Sequence, residues 1–309
     1  MTTAFIFPGQ GSQSVGMMNS LAESSTVIQD TFSEASAVLG YDLWSLATEG
    51  PAEKLNSTEY TQPAMLTAGV ASWRAWLEAG GTAPSVMAGH SLGEYTALVC
   101  AGVIEFADAV SLVSDRARFM QQAVPEGEGA MAAILGLDDE DVRQLCQQNA
   151  AGEVLEAVNY NAPGQVVVAG TAAAVGRLLE NARAAGAKRA LPLPVSVPSH
   201  CALMRPASER MAERLKDVVI SRSEISVIHN VNVQAAVDEG EIRQLLARQI
   251  SEPVRWVETI NSINEMGITQ LLECGPGKVL CGLTKRINRD MQCIPLITKE
   301  SIATALEAK

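Results

Sequence analysis

Short apolar runs alternate with longer amphipathic stretches along most of the chain. Residues 4–7 and 86–88 are runs typical of buried strands, while Val27–Leu39 places apolar side chains at helical spacing. Residues 63–79 also predict a helix, with Pro63 at its first position, where a backbone N–H is not needed. Strands and helices that alternate in this way predict an α/β fold with helices on both faces of a mostly parallel sheet.

The middle of the chain has a different order of elements. The predicted elements are a strand at 130–135, a helix capped by Asp138 through 148, strands at 154–158 and 165–169 around a turn at 161–164, a helix capped by Thr171 to 185, and a strand at 189–195. This β-α-β-β-α-β order is that of a ferredoxin-like fold. We therefore expect a small domain of residues 128–198 inserted into a large domain of residues 1–127 and 199–309.

Composition narrows the class of protein. With 309 residues, 47% of them hydrophobic and 19% charged, the chain is long enough for a large α/β domain with an insert and is not disordered. The net charge of −12 argues against nucleic acid or a membrane as a partner. No apolar run approaches the ~20 residues of a membrane span, and the first residues are not signal-like. A cytoplasmic protein is expected.

The cysteines show no metal-binding or redox spacing. None forms a C-x-x-C pair, and several lie in apolar runs, so reduced thiols in the core of a cytosolic protein are expected. With three histidines in the chain, a zinc site is not expected either. The six cysteines are Cys100, Cys146, Cys201, Cys274, Cys281 and Cys293.

The residues Gly89-His90-Ser91-Leu92-Gly93 spell G-x-S-x-G between a predicted strand and a predicted helix. This is the pattern of a nucleophile elbow, in which a sharp turn exposes the central serine and the glycines make room for it. Ser91 is therefore the candidate nucleophile. The amide of Leu92, at the start of the new helix, points toward the place where negative charge would develop.

A serine nucleophile needs a base, and the chain offers His90, His200 and His229. His90 lies inside the elbow with its side chain directed away from that of Ser91, so it is expected to buttress the turn. His229 falls in a strand-like run and is expected to be a satisfied or edge histidine. His200 follows a proline-stiffened loop, the kind of segment that carries catalytic groups, and is the candidate general base. Because the elbow precedes the insert and His200 follows it, the site should lie in the cleft between the domains.

At this point the chain resembles a known family, the malonyl-CoA:acyl-carrier-protein transacylases, serine acyltransferases of fatty acid synthesis. The resemblance runs end to end and rests on seven blocks in order: Phe7-Pro8-Gly9-Gln10-Gly11-Ser12-Gln13, Thr61-Gln62-Pro63-Ala64, the elbow with Glu94-Tyr95, Arg116, Asn159-x-Asn161-x-Pro163-x-Gln165, Ser199-His200, and Gly275-Pro276-Gly277-Lys278-Val279-Leu280. It implies a hydrolase-like core with a ferredoxin-like insert.

The resemblance also implies roles for individual residues. Ser91 would take the malonyl group from malonyl-CoA, with His200 as the base and the carbonyl of Gln249 orienting that histidine. The amides of Gln10 and Leu92 would form the oxyanion hole. The substrate-binding residues would be Arg116, which grips the malonyl carboxylate, together with Gln62 and Asn161.

The implied partner is an acyl carrier protein, whose phosphopantetheine thiol receives the malonyl group. No bound cofactor, metal or nucleic acid is implied, and the family suggests a monomer. Because a carrier protein is expected to be acidic, docking to this acidic chain needs a local basic patch. Lys285, Arg286 and Arg289 cluster in one segment and are the candidates.

Other interpretations remain open at this stage. A serine esterase or thioesterase shares the elbow, but an acidic third member and an HGGG-type loop are not evident. A non-catalytic carrier-binding subunit would not need both Ser91 and His200. Without the family, Arg116 could simply pair with Asp115 or a helix neighbour. Ser199 stands where many relatives carry phenylalanine, so a broader acyl-CoA:carrier transacylase is the alternative to a strict malonyl preference.

Overall fold

The computed structural model describes residues 3–195 and 197–308, and its elements alternate as the sequence predicts. The strands are β1 (Thr3–Phe7), β2 (Val86–Gly89), β3 (Gly129–Leu135), β4 (Leu155–Ala162), β5 (Gln165–Thr171), β6 (Arg189–Pro192), β7 (Ser226–Ile228), β8 (Gln270–Glu273) and β9 (Gln292–Pro295). The helices are α1 (Asn19–Ala22), α2 (Val27–Leu39), α3 (Leu43–Glu49), α4 (Ala52–Asn56), α5 (Thr58–Glu78), α6 (Gly93–Cys100), α7 (Phe106–Ala123), α8 (Asp139–Ala150), α9 (Ala172–Ala182), α10 (Arg205–Arg214), α11 (Glu239–Gln249), α12 (Trp256–Glu265), α13 (Val279–Ile287) and α14 (Lys299–Glu307). Single 3₁₀ turns lie at Ala202–Met204 and Leu215–Asp217.

The larger sheet is parallel and has the order β7-β2-β1-β8-β9. Its central strand is buried on both faces, which the alternation of side chains along a strand explains. Phe5 and Phe7 pack into the core formed with α2, α5 and α7, while Ala4 and Ile6 pack into the core formed with α12 and α13. This arrangement confirms the predicted α/β class.

The smaller sheet is antiparallel and has the order β4-β5-β3-β6. This is the strand order of a ferredoxin-like fold, as the sequence predicts. Asp138 and Thr171 cap α8 and α9 with their side chains, as predicted, and the two helices cover one face of the sheet. The other face, with Met131, Val158 and Val167, is turned toward Cys201 of the large unit. The boundaries at 128 and 198 stay a prediction.

Backbone hydrogen bonds join the smaller sheet to the segment that precedes α12. The amide of Tyr160 donates to the carbonyl of Val254 at 3.0 Å, and the amide of Val254 donates to the carbonyl of Val158 at 2.8 Å. This short parallel bridge ties β4 to the segment that leads into α12. The smaller sheet is therefore attached to this segment by main-chain hydrogen bonds.

Several predicted boundaries are wrong, among them the end of α9, at Ala182 rather than 185, and the end of β6, at Pro192 rather than 195. Helix α5 begins at Thr58, so Pro63 lies inside it rather than at its first position. Thr61 and Gln62 are polar but buried, which hid the first turns from the apolar pattern. Strand β4 continues to Ala162, so the predicted turn at 161–164 shortens to the two residues between β4 and β5.

The prediction of reduced core thiols holds for four of the cysteines and is wrong for two. Cys100, Cys146, Cys201 and Cys274 are free and buried. Cys281 and Cys293 form a disulfide, with their Cα atoms 5.1 Å apart. The reason is tertiary: Cys281 is in the first turn of α13, and this helix packs against β9, which carries Cys293. Among the described residues, no helix is both long and apolar enough to cross a membrane.

Candidate active site

Ser91 lies at a sharp turn between β2 and α6. Its φ angle of 52° is in the left-handed region, which non-glycine residues rarely adopt. A Cβ atom on Gly89 would come within 1.9 Å of the backbone of Gly93, and one on Gly93 would come within 2.0 Å of the Phe7 carbonyl oxygen. Only glycine fits at both positions, so the two glycines of the motif permit the turn.

His200 lies directly against the serine. Ser91 Oγ is 2.7 Å from His200 Nε2, and His200 Nδ1 is 2.7 Å from the carbonyl oxygen of Gln249. Because a carbonyl oxygen only accepts, Nδ1 carries the proton and donates it, which leaves the lone pair on Nε2 facing the hydroxyl. The arrangement resembles a hydrolase triad in which a neutral carbonyl replaces the usual carboxylate.

The imidazole of His200 is kept neutral by its surroundings. Burial and the nearby Arg116 guanidinium lower the pKa of His200 to about 3. The residue is 2% exposed and its own backbone amide donates to the carbonyl of Ile250. At neutral pH the ring is therefore ready to accept a proton.

Arg116 extends from α7 into the same site. Its guanidinium donates to the side-chain carbonyl oxygens of Gln62 at 2.7 Å and Gln249 at 3.0 Å, and Nη2 is 3.5 Å from Ser91 Oγ. The guanidinium also lies over the ring of Tyr95, 5.3 Å from its centre. Arg116 therefore points at the nucleophile.

The charge of Arg116 has no ion-pair partner among the described residues, and the negative charge of Glu94 only partly offsets the lowering of its pKa by burial. The residue is 2% exposed, its Nε has no hydrogen-bond partner, and no ion pair joins it to a carboxylate of residues 3–195 or 197–308. The alternative partner Asp115 is paired with Arg118 and Arg214 instead. Because a buried charge is costly unless it is paired, this guanidinium is suited to an anionic group of a bound molecule.

Two backbone amides beside the serine are open. The loop at Gly9 packs so closely on the elbow that a Cβ there would lie 2.5 Å from the His90 carbonyl oxygen. The amides of Gln10 and Leu92 donate to no other described residue, whereas the amide of Ser91 itself is occupied. Gln10 and Leu92 are thus the amides available to stabilise an oxyanion.

The other two histidines lie outside this constellation. His90 Nε2 is 2.8 Å from Asn161 Oδ1, and its ring packs edge-on against Trp256. Burial lowers the pKa of His90, so it stays neutral. His229 is 1% exposed and its Nδ1 is 2.8 Å from Glu94 Oε1, so the expectation of a satisfied histidine is confirmed.

Asn230 is a site residue that sequence reasoning missed. Its side chain accepts from the Ser91 amide at 2.7 Å and donates to the Gly89 carbonyl at 2.6 Å. Its own amide donates to Glu94 Oε2 at 2.9 Å. The only signal in the sequence is that Asn230 follows a strand-like run, as a residue at the carboxyl edge of a parallel sheet does.

A cavity of about 560 Å³ separates the two sheets and contains the site. The polar or charged residues that line it are Gln10, Gln13, Asn56, Thr58, His90, Ser91, Arg116, Asn159, Asn161, Gln165, Ser199 and His200. Ser91 and His200 thus line one cavity, as expected for residues predicted to lie in a cleft between two domains. The proline-rich loop before His200 forms part of the wall, and within that loop Ser196 lies outside the described residues.

None of the three predicted docking residues lines the cavity. Lys285 and Arg286 are exposed near the end of α13, and Arg289 is exposed just after it. Arg286 donates a hydrogen bond to Gln165, which lines the cavity. Arg286 thus contacts the wall of the cavity through Gln165, and Lys285 precedes it in the same helix.

Comparison with known proteins agrees with this geometry. A sequence profile of the acyl transferase domain matches residues 4–299. The chain is 55% identical over 304 residues to the malonyl CoA-acyl carrier protein transacylase of Escherichia coli (strain K12), covering 98% of each.

Two solved structures share the fold over nearly the whole chain. One, the malonyl CoA-acyl carrier protein transacylase from Coxiella burnetii, has a TM-score of 0.98 at 49% identity and covers 99% of this chain and 97% of its own. Another is the malonyl-transacylase PlMCAT in complex with AntF, a type II PKS acyl-carrier protein. It has a TM-score of 0.98 at 53% identity and covers all of both chains. The chain therefore belongs to the acyl transferase family.

Proposed function

We propose that this chain transfers a malonyl group from malonyl-CoA to the phosphopantetheine thiol of an acyl carrier protein, through an ester on Ser91. The observation that carries the proposal is the unpaired guanidinium of Arg116, 3.5 Å from Ser91 Oγ. The names of the relatives supply the acyl group and the acceptor.

In the first half-reaction Ser91 attacks the thioester. Oγ forms a bond to the carbonyl carbon while its proton passes to His200 Nε2, and the amides of Gln10 and Leu92 donate to the oxyanion. The intermediate collapses when the carbon–sulfur bond breaks. The CoA sulfur leaves with the proton held on Nε2, so the imidazole is neutral again and the malonyl ester remains on Ser91.

In the second half-reaction the carrier thiol takes the place of CoA. Its proton passes to His200 Nε2, and the sulfur attacks the ester carbonyl. The carbon–oxygen bond then breaks and Ser91 Oγ takes back the proton from the imidazolium. A neutral carbonyl at Gln249 is sufficient for this cycle, since thiols leave and attack more readily than amines.

The position of Arg116 matches the size of a malonyl group. In an ester on Ser91 the free carboxyl carbon lies roughly 4 Å from Oγ, since only three covalent bonds separate them. A guanidinium whose Nη2 is 3.5 Å from Oγ is at the distance needed to bind that carboxylate. Gln62 holds the guanidinium in place, and Asn161 faces the cavity from β4.

The acceptor is proposed to dock on the basic residues at the end of α13. Lys285, Arg286 and Arg289 are exposed cations close together in the sequence of a chain whose net charge is −12, and Arg286 bonds the cavity residue Gln165. An acidic carrier protein would be attracted to this segment. The phosphopantetheine arrives on the carrier, so the chain needs no cofactor of its own, and we propose that it acts in the cytoplasm.

The test is covalent labelling with malonyl-CoA. We expect intact-mass measurement to find one malonyl group on the wild-type protein and none on Ser91→Ala, and the ester to persist until carrier protein is added. Malonylation of Ser91→Ala would contradict the role of Ser91. Rapid release of free malonate without a thiol would show a thioesterase instead.

A further inference from the structure

The backbone of Ser91 is held in an unfavourable conformation, and something outside the turn must hold it there. A left-handed φ of 52° in a non-glycine residue costs free energy and persists only when surrounding contacts over-determine it. Helix α6 contributes one contact, the amide of Glu94 to the carbonyl of Ser91. The remaining contacts come from distant parts of the chain.

A side-chain amide holds each of the two peptide groups that flank Ser91. Asn230 Oδ1 accepts from the Ser91 N–H at 2.7 Å, and Gln249 Nε2 donates to the Ser91 carbonyl at 2.9 Å. Asn230 Nδ2 also donates to the carbonyl of Gly89 at 2.6 Å. A single asparagine thus joins the peptide before the serine to the last residue of β2.

The fold fixes Asn230 in this position. The register of β2 and β7 pairs Ala88 with Ile228, so the residue two places after Ile228 comes to lie beside the elbow. Asn230 is fully buried, and its amide donates to Glu94 Oε2 while Glu94 Oε1 bonds His229. Its side chain has no freedom to turn around without losing both bonds to the elbow.

We propose that Asn230 is a positioning residue that holds Ser91 Oγ in line with His200 Nε2. The proposal rests on Ser91 being the nucleophile proposed above, but not on which acyl group it accepts. Asn230 also occupies the Ser91 amide, so that this amide cannot serve the oxyanion and the open amides of Gln10 and Leu92 remain for that task. Positioning Ser91 and occupying its amide both depend on the Asn230 side-chain amide, which offers one acceptor to the Ser91 N–H and one donor to the Gly89 carbonyl.

The test replaces the asparagine by its isostere, Asn230→Asp. An ionised aspartate accepts from the Ser91 amide but cannot donate to the Gly89 carbonyl. The control is Asn149→Asp, because Asn149 is also buried and also donates to a backbone carbonyl, that of Leu145, but lies in α8 away from the site. Reactivity is measured by labelling with a fluorophosphonate, in which Ser91 Oγ bonds to phosphorus, fluoride leaves and His200 takes the proton.

We expect Asn230→Asp to be labelled on the order of 10²-fold more slowly at high pH, because a small misplacement of a nucleophile has an effect of that size. The binding constant for malonyl-CoA should change little. Lowering the pH from 9.5 to 5.5 should restore the rate, since a protonated aspartic acid both accepts and donates as asparagine does. The titratable and charged groups around this position are Glu94, which bonds the Asn230 amide, and His229, which bonds Glu94. His200 and Arg116 face Ser91 Oγ, at 2.7 Å and 3.5 Å. Asn149→Asp should be labelled at the wild-type rate.

Three outcomes would overturn the proposal. The first is a wild-type labelling rate for Asn230→Asp at every pH, and the second is an equal loss of labelling rate in Asn230→Asp and Asn149→Asp. The third is a loss of labelling rate that is fully explained by a lower melting temperature of the variant. If Asn230→Asp does not fold, Asn230→Ser replaces it and should show the same slow labelling with unchanged malonyl-CoA binding. Wild-type protein that reacts with the fluorophosphonate but not with malonyl-CoA would refute the proposed function. The role of Asn230 could still be tested in that case, because the fluorophosphonate reports only on the reactivity of Ser91.

Discussion

At the scale of single residues, the site combines a neutral base with an unpaired cation. His200 is neutral because burial and Arg116 disfavour its protonated form, and the same Arg116 is left without a carboxylate partner. One guanidinium therefore lowers the pKa of the base and, in the proposed function, also binds the acyl group. Each effect can be tested by itself.

The first prediction concerns pH. With the pKa of His200 at about 3, the base is already deprotonated throughout the range from pH 5 to 8. We expect the rate of Ser91 acylation, measured in a single turnover, to be flat over that range. An acid limb with a midpoint near 6.5, the ordinary value for histidine, would contradict this.

The second prediction concerns Arg116→Ala. Leaving one partner of a buried charge pair without the other typically costs about 2–5 kcal/mol, so kcat/KM for malonyl-CoA should fall by roughly 30-fold to several thousand-fold. Acetyl-CoA has no free carboxylate, and its low rate should hold or rise. Parallel kinetics with both thioesters decide the matter. A parallel fall would mean that Arg116 supports the fold rather than the acyl group.

The sequence could predict residues whose signal is local and could not predict those whose signal is tertiary. Ser91 is recognisable because five consecutive residues build its turn, and His200 because a stiff loop precedes it. Asn230 is 139 residues from Ser91, and its bond depends on β7 lying beside β2. Pairing of Cys281 with Cys293 likewise depends on how a helix packs on a strand.

At the scale of elements, the sequence pattern predicts helix boundaries best where the buried residues are apolar and the exposed residues are polar. The predicted helix Val27–Leu39 is confirmed with its boundaries, because its buried face is mostly apolar. Helix α5 was predicted to begin too late, because Thr58, Thr61 and Gln62 are polar yet buried. One of these, Gln62, accepts a hydrogen bond from Arg116. The buried polar residue that obscured the start of the helix is therefore part of the candidate site.

The third prediction belongs to helix α13. Reversing its charges with Lys285→Glu and Arg286→Glu should weaken transfer to the carrier protein while leaving acylation by malonyl-CoA nearly unchanged, because both side chains are exposed outside the cavity. At 1 M salt the difference from wild type should shrink, since the Debye length falls to ~3 Å. The two half-reactions are measured separately. Equal loss in both would indicate a folding defect.

At the scale of the whole molecule, the buried histidine links stability to pH, which gives the fourth prediction. Below pH 6.5 the unfolded chain protonates His200 while the folded chain, with a pKa of about 3, does not. Stability should therefore fall as pH decreases from 6.5 toward 3, by about 2 kcal/mol at pH 5 for this one group. Urea unfolding at pH 7.5 and 5 measures it. The fall should be smaller in His200→Gln, and an equal fall would assign the effect to other groups.

Burial of Glu273 acts in the opposite direction. Its pKa is raised to about 7, so the stability that the protonated carboxyl contributes is complete below 4.5 and is lost as pH rises through 7. Glu273 accepts from the amides of Leu280 and Cys281 at the start of α13, which ties the helix to β8.

The cavity that lies against β4, the strand bridged to Val254, has a consequence for how the two substrates compete. The bridge ties β4, which lines the cavity with Asn159 and Asn161, to the main chain that precedes α12. Because Ser91 and His200 line the same cavity, the donor and the acceptor of the proposed reaction must occupy it one after the other. Either substrate in excess then competes with the other for the cavity. A high concentration of carrier protein should therefore slow the acylation of Ser91 by malonyl-CoA, although the carrier is the acceptor in the next step.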